Sequence, residues 1–248
     1  MQIAILSDIH GNGVAFDAVL NDLGARPADQ IVCLGDAVQG GPQPAEVAQR
    51  LRELACPVVM GNADAWLLTG EETGHEQISD ERRRKMGAIR EWSLAQLSEA
   101  DRAFIAAFRP TITLPLSANL KLLCFHGSPA SFDDFIFPHT PEEEFQRMLG
   151  EYAADCIMTG GHVHLPYVRR IGGNFFFNPG SVGLAYNHQQ PESGFRADAW
   201  AEYAILTVDG GRISLDFRRV PVDVNQLAHV YRASGRPFAE DAIRQYTG

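Results

Sequence analysis

Three short apolar runs in the first quarter of the chain each end two residues before an Asp or Asn, and helical patterns separate them. Residues 2–6, 30–34 and 57–60 read as strands. Residues 13–23 and 44–54 read as helices, the first because Phe16, Val19, Leu20 and Leu23 recur at helical spacing on one face. This strand–helix–strand order predicts a parallel sheet with covering helices. Ligands of such sheets gather at the carboxyl ends of the strands. Asp8, Asp36 and Asn62 occupy those ends, which makes them functional candidates by placement alone.

The remainder divides in two. Residues 64–108 carry helical, charged patterning, and the ionic run 81–85 reads as a solvated helix face. Ser98 and Asp101 form a capping-box pattern opening a helix to Phe108. Thr140-Pro141-Glu142-Glu143 reads as a helix start, with threonine as cap and proline at the first helical position. Strand-like runs then dominate, at 111–114, 120–125, 155–158, 167–171, 174–177, 203–208 and 212–217. Gly172-Gly173 and Asp209-Gly210-Gly211 mark hairpin turns, and helix returns from Val222. Phe175–Phe177 reads as a core strand rather than a stacking platform for bases. Residues 192–199 have few apolar side chains and read as a loop. With 45% hydrophobic residues and no repeat or linker, the 248 residues are expected to form one domain, 1–248.

Charge narrows the function classes. The 21 basic residues against 31 acidic ones give −10, which opposes broad electrostatic binding to nucleic acid or an anionic membrane. A phosphate-bearing substrate remains compatible, because bound divalent ions can reverse the local field. Cys33, Cys56, Cys124 and Cys156 form no C-x-x-C pair and read as free, buried thiols. Met1 leads straight into an apolar run, leaving no room for a signal peptide, and no run approaches membrane-spanning length. A cytoplasmic location follows as the expectation.

Five short segments concentrate metal-ligand residue types: Ser7-Asp8-Ile9-His10-Gly11-Asn12, Leu34-Gly35-Asp36, Met60-Gly61-Asn62-Ala63-Asp64, Phe125-His126-Gly127 and Gly160-Gly161-His162-Val163-His164. Each follows a strand pattern and lies beside glycine, which lets backbone approach a buried ion and supplies positive φ. Asp8-x-His10 and His162-x-His164 have the period-two spacing that points both side chains of an extended segment to one side. Carboxylate and imidazole donors without cysteine suit manganese, iron, nickel, cobalt or zinc at a reactive site more than calcium or magnesium.

In this order the segments resemble the signature of the calcineurin-like metallophosphoesterase superfamily, D-x-H … G-D … G-N … H … G-H-x-H. Asn178-Pro179-Gly180-Ser181-Val182-Gly183 extends the similarity towards its small bacterial and archaeal phosphodiesterase branch. The resemblance implies an α/β, four-layer αββα sandwich of two mixed sheets flanked by helices. It implies two divalent transition-metal ions, manganese favoured. One would be held by Asp8, His10, Asp36 and His164; the other by Asp36, Asn62, His126 and His162, with Asp36 bridging. A hydroxide between the ions would attack phosphorus while the ions neutralise the phosphoryl oxygens. Asn62 and Asn12 are candidate substrate contacts, although Asn12 also suits a role in stabilising its loop.

The chain departs from many relatives at Ala63, where they carry a histidine that protonates the leaving group. General-acid assistance contributes about 10²–10⁴-fold. The small phosphodiesterase branch tends to lack this histidine too, so the expected activity is a phosphodiesterase on a small or nucleotide-like diester. His75, His139 and His188 are the other candidates for the acid, each more simply read as a surface histidine. Phosphomonoesterase or protein phosphatase activity on the same fold is the neighbouring alternative. A non-catalytic, metal-binding interaction scaffold is the alternative from another class. A nuclease is opposed by the acidic charge and the lack of a basic, aromatic face.

Overall fold

Alternation along the strands decides the architecture. The computed structural model describes residues 1–71, 79–190 and 194–247. In β1 (Gln2–Leu6) every residue but the first is buried, yet Ile3 and Ile5 enter one apolar cluster while Ala4 and Leu6 enter another. The same sorting occurs in β4 (Lys121–Cys124), β7 (Asn174–Asn178) and β8 (Trp200–Asp209). Leu122 and Cys124 face one way and Leu123 the other; Phe177 opposes Phe176; Ala204 and Leu206 oppose Tyr203 and Ile205. A strand buried on both faces must lie inside a stack of layers.

Two mixed sheets result. In the first, the order is β2 (Gln30–Cys33), β1, β8, β9 (Arg212–Pro221), with β1 parallel to β2 and antiparallel to β8. In the second it is β3 (Ile112–Pro115), β4, β5 (Cys156–Thr159), β7, β6 (Tyr167–Ile171), with β5 parallel to both β4 and β7. Ile3, Ile5, Val32, Leu122, Ile157 and Phe177 fill the space between the sheets.

Helices cover both outer faces. On the first sheet lie α1 (Gly13–Ala25), α2 (Pro44–Leu54), α3 (Asn62–Thr69) and α5 (Glu99–Ala106). They share that apolar cluster with α7 (Val224–Ser234) and α8 (Ala239–Thr247), through Leu227, Tyr231 and Ile243. Helix α4 (Asp80–Gln96) is mostly half-buried or exposed, as its ionic face requires. On the second sheet, Phe145 and Leu149 of α6 (Glu142–Leu149) pack against Phe125, Met158 and Phe176. Three apolar interfaces thus separate four layers, the expected αββα sandwich.

Local expectations fare unevenly. The capping box at Ser98 and Asp101 forms, and both glycine turns join hairpins. Phe176 and Phe177 are core residues, as read from the sequence. The run 57–60 does not become a strand. It makes single bridges, Val58 to Cys33 and Val59 to Arg109, because Pro57 has no N–H to donate and the chain then veers towards Gly61. Helix α6 begins at Glu142, and the Thr140 hydroxyl accepts from the Phe137 N–H (2.8 Å) rather than capping the helix. Cys33, Cys124 and Cys156 are buried free thiols, whereas Cys56 is half-buried. Residues 194–199 form neither helix nor strand; 192 and 193, and His75, lie outside the described residues. Among the described residues no helix is long and apolar enough to cross a membrane.

Candidate metal centre

Four parallel-paired strands deliver the signature residues to one edge of the sandwich. Asp8 follows β1, Asp36 follows β2, His126 follows β4, and His162 and His164 follow β5, while Asn62 opens α3. Backbone hydrogen bonds knit these loops together: Asp8 N–H to Gly35 O (3.0 Å), His10 N–H to Asp36 O (2.8 Å), and Gly161 N–H to His126 O (2.9 Å). Glycine is required at two of the crossings by close approach. A Cβ on Gly61 would collide with the Asp36 backbone nitrogen and Oδ1, and one on Gly161 with the Ser7 hydroxyl.

Positive φ falls on the donors themselves as well as on neighbouring glycines. Asp8 (54°), His10 (50°), Asp36 (48°), His162 (68°) and His164 (50°) all adopt left-handed backbone. Asp and His enter this region more readily than most side chains, but each such residue still costs about 1–3 kcal/mol. Five in one site mark a backbone held for the sake of its side chains.

The donors form two groups, Asp8–His10–His164 and Asp36–His126–His162. Each carboxylate has one oxygen tied down and one presented. Asp8 Oδ2 accepts from the Ser7 hydroxyl and from the His162 N–H (3.1 Å), and its buried Oδ1 makes no hydrogen bond of good geometry, 3.2 Å from His164 Nε2. Asp36 Oδ1 accepts from the Ala63 N–H (2.8 Å), leaving Oδ2 3.4 Å from His126 Nε2 and 3.8 Å from His10 Nε2. Asp36 therefore faces imidazoles of both groups.

The imidazoles follow the same rule. Nδ1 of His10, His126 and His164 lies within hydrogen-bond distance of the Gln39, Leu34 and Leu184 carbonyls (3.0, 2.8 and 2.7 Å). Donation there fixes the tautomer that exposes each Nε2 lone pair inward. Nε2 of His10 and His164 then face each other at 3.1 Å, and His126 Nε2 lies 3.0 Å from Asn62 Oδ1. His162 Nε2 is buried with no hydrogen-bond partner among the described residues. Two lone pairs at that separation repel unless a proton or a metal ion lies between them, and the orphaned His162 nitrogen and Asp8 oxygen beside them add two further unpartnered donor atoms for an ion. The donor set fits divalent ions.

Electrostatics differ within each group. Burial would raise both carboxyls, but His164 and His126 hold Asp8 below the ordinary range, and His126 and His10 hold Asp36 well below it. Burial would lower His126, yet Asp36 outweighs it and holds it up to about 9; Asp8 likewise outweighs burial at His164. Burial, reinforced by His126, pushes His162 down to about 4, and burial lowers His10.

The supporting residues have structural tasks that the sequence left open. Asp64, fully buried, accepts from the Ala37 and Val38 N–H groups, and burial together with Asp36 pushes its carboxyl up to about 7. Asn12 caps α1 through Ala15 N–H (3.0 Å) and donates to Gly183 O (2.9 Å). In the Asn178–Gly183 segment, Asn178 Nδ2 donates to Gly161 O (2.6 Å) and the Ser181 hydroxyl to Asp8 O (2.9 Å). That segment is a clasp across the donor loops.

An aromatic array beside the second group escaped the sequence reading. Phe135, which is 42% exposed, lies 4.4 Å from the His162 ring. Phe137 stacks on it at 5°, and His139 on Phe137 at 13°. The pattern Phe135-x-Phe137-x-His139 carried the signal, since alternate residues of an extended segment share a side. His139 is exposed, as read from the sequence, whereas His188 is half-buried, meets Phe137 and stacks on Tyr186 (4.3 Å).

A family model described as the calcineurin-like phosphoesterase superfamily domain matches residues 1–209. An uncharacterized protein of Methanocaldococcus jannaschii, MJ0912, is 29% identical over 243 residues, covering 91% of this chain and 89% of its own. The phosphodiesterase YfcE of Escherichia coli is 28% identical over 198 residues, covering 74% and 80%. Among solved structures, a metallophosphoesterase from Sphaerobacter thermophilus superposes with a TM-score of 0.73 at 25% identity, covering 99% of this chain and 98% of that one. The hypothetical protein PH1004 of Pyrococcus horikoshii shares the fold with a TM-score of 0.79 at 18% identity, covering 100% and 98%.

Proposed function

The chain belongs to the calcineurin-like phosphoesterase superfamily, and from that premise we propose that it is a metal-dependent phosphodiesterase acting on small, nucleotide-like diesters. The observation carrying this reading is the pair of carboxylate–imidazole groups that Asp36 faces from between. Asp8, His10, Asp36 and His164 would hold one divalent ion, and Asp36, Asn62, His126 and His162 the other, with manganese favoured. When bound, such a pair supplies water activation near neutral pH and neutralises charge on a phosphoryl group.

The chain's own residues orient that chemistry. Carbonyls of Gln39, Leu34 and Leu184 orient three imidazoles, and the Ala63 N–H orients Asp36, so these four donors are aimed before an ion binds. Ala63 offers no side-chain proton to a departing oxygen. The reading therefore favours esters whose leaving group is acidic enough to depart alone. Phe135 supplies an exposed ring beside the centre against which a base or aryl arm can stack. The E. coli relative's name, phosphodiesterase, supports the same class.

The test strips the protein of metal, restores manganese, nickel, zinc or magnesium singly, and assays bis(p-nitrophenyl) phosphate beside p-nitrophenyl phosphate. Retained metal and faster hydrolysis of the diester are expected. Faster hydrolysis of the monoester would overturn the diester assignment, and no retained metal with no turnover would overturn the enzyme.

A further inference from the structure

Next to the first donor group opens a cavity of about 370 Å³ whose walls join His10 and Asn12 to Lys85, Arg236 and Tyr246. Arg236 and Tyr246 come from the C-terminal segment beyond the 1–209 family match. Lys85 is already neutralised by Glu81 (3.3 Å) and Asp241 (3.2 Å), and Asp241 also pairs with Arg244. Arg236 differs. Among the described residues its half-buried guanidinium donates to backbone carbonyls, Gly40 O (2.6 Å), Pro237 O (2.9 Å) and Phe238 O (3.5 Å), and it lies 5.4 Å from the Tyr231 ring centroid. Among the described residues no carboxylate lies within ion-pair distance of it; Asp241 also lines the cavity, but its carboxylate is bound to Lys85 and Arg244 and acts on Arg236 only at longer range.

A cation withdrawn from water without a counter-ion is costly and strengthens any anion that reaches it. We infer that this cavity receives a second anionic group of the substrate, a phosphate on the ester arm opposite the aromatic array, with Arg236 as its binding residue. The inference rests on the phosphodiesterase reading. It makes the preferred substrate a diester carrying an additional phosphate, one arm stacked on Phe135 and the other charged. In a chain of net charge −10, a local unpaired cation beside the site is a means of selecting such an arm rather than of general attraction.

Arg236 also braces Gly40, next to the Gln39 carbonyl that orients His10, so the test must separate binding from support. Manganese-loaded wild type, Arg236→Gln and Arg236→Lys are assayed on the p-nitrophenyl diester of thymidine 5′-phosphate, with and without a further phosphate on the sugar. Wild type should prefer the doubly charged substrate through KM. Arg236→Gln should raise that KM by about ten- to a hundredfold more than the KM for the singly charged one, and Arg236→Lys should recover part of the preference. Equal losses on both substrates, or no wild-type preference, would overturn the inference. If neither substrate turns over, the phosphodiesterase reading itself has failed. Calorimetric titration of the metal-free chain with inorganic pyrophosphate then decides the inference: weaker binding by Arg236→Gln supports it, and no binding or equal binding overturns it.

Discussion

Asp8, His10 and His164 look out on a cavity framed by the C-terminal helices, whereas Asp36, His126 and His162 look out on exposed aromatic rings. The inner shells of the two groups are close to interchangeable: one carboxylate, two imidazoles, one histidine held towards protonation and one held neutral. Their surroundings are not. A backbone-bound guanidinium borders one side, and stacked rings border the other. On the proposed reading, the matched interiors would handle a symmetric phosphoryl centre and the unmatched exteriors would tell its two ester arms apart, which would place chemistry and selectivity in different layers of the same site.

The strongest way to break the comparison is through the residue facing both groups. Asp36→Ala is expected to release metal from both and lower kcat/KM by about a thousandfold or more. Asn62→Ala should chiefly deplete the ion beside His126. Bound metal measured by plasma mass spectrometry, together with diester turnover, checks this. Full metal content in Asp36→Ala would show that the two groups are independent.

A smaller effect sharpens the contrast between the exteriors. Phe135→Ala should raise KM for aryl and nucleoside diesters by about five- to tenfold, the lower end of what one stacked base contributes. A dialkyl phosphate diester should be nearly indifferent to the change. Steady-state kinetics on both substrate types would reveal a mistaken stacking role as equal losses.

The smallest effect concerns stability of the metal-free chain. Burial and His126 hold His162 down to about 4, so the unfolded chain binds more protons between that value and the ordinary 6.5, and stability falls as pH drops through that window. His126 has the opposite sign. Burial opposes its charge, but Asp36 holds it up to about 9, so its contribution is complete below 6.5 and is lost as pH rises through about 9. On the acid side Asp64, whose carboxyl is held up to about 7, contributes stability that is lost as pH rises from its ordinary 3.8, and this offsets the His162 slope. The readable effect is therefore alkaline: denaturant midpoints should decline from neutrality through about pH 9, and manganese should remove that decline by replacing the proton on His126. A flat alkaline limb would show that Asp36 does not hold the His126 proton.

The donors were legible because each follows an apolar run and lies near glycine, and the ends of such runs converge in a layered α/β fold. The layers were legible because two-sided burial leaves apolar runs without polar alternation, as in residues 3–6. What stayed hidden depends on contacts between distant segments. Arg236 reaches Gly40 across 196 residues, and no local pattern foretells that approach. Asp64 reads as part of a reactive motif, yet its carboxylate holds the turn at Ala37 and Val38. The run 57–60 has strand composition, but pairing is a tertiary property and its neighbours offer only single bridges. Phe135, Phe137 and His139 share a period-two pattern, a weaker signal than the consecutive phenylalanines at 175–177.

The left-handed backbone at five donors also limits how this lineage can drift. Gly, Asn, Asp and His tolerate that conformation, whereas a β-branched residue there would be a steric outlier. A descendant relieved of selection for hydrolysis could exchange His162 for Asn or Gly, or Asp8 for Asn, without straining its backbone. Extinction of the activity and survival of the scaffold are therefore separable events. A silent member of such a lineage would betray its ancestry by small or amide residues in the vacated places.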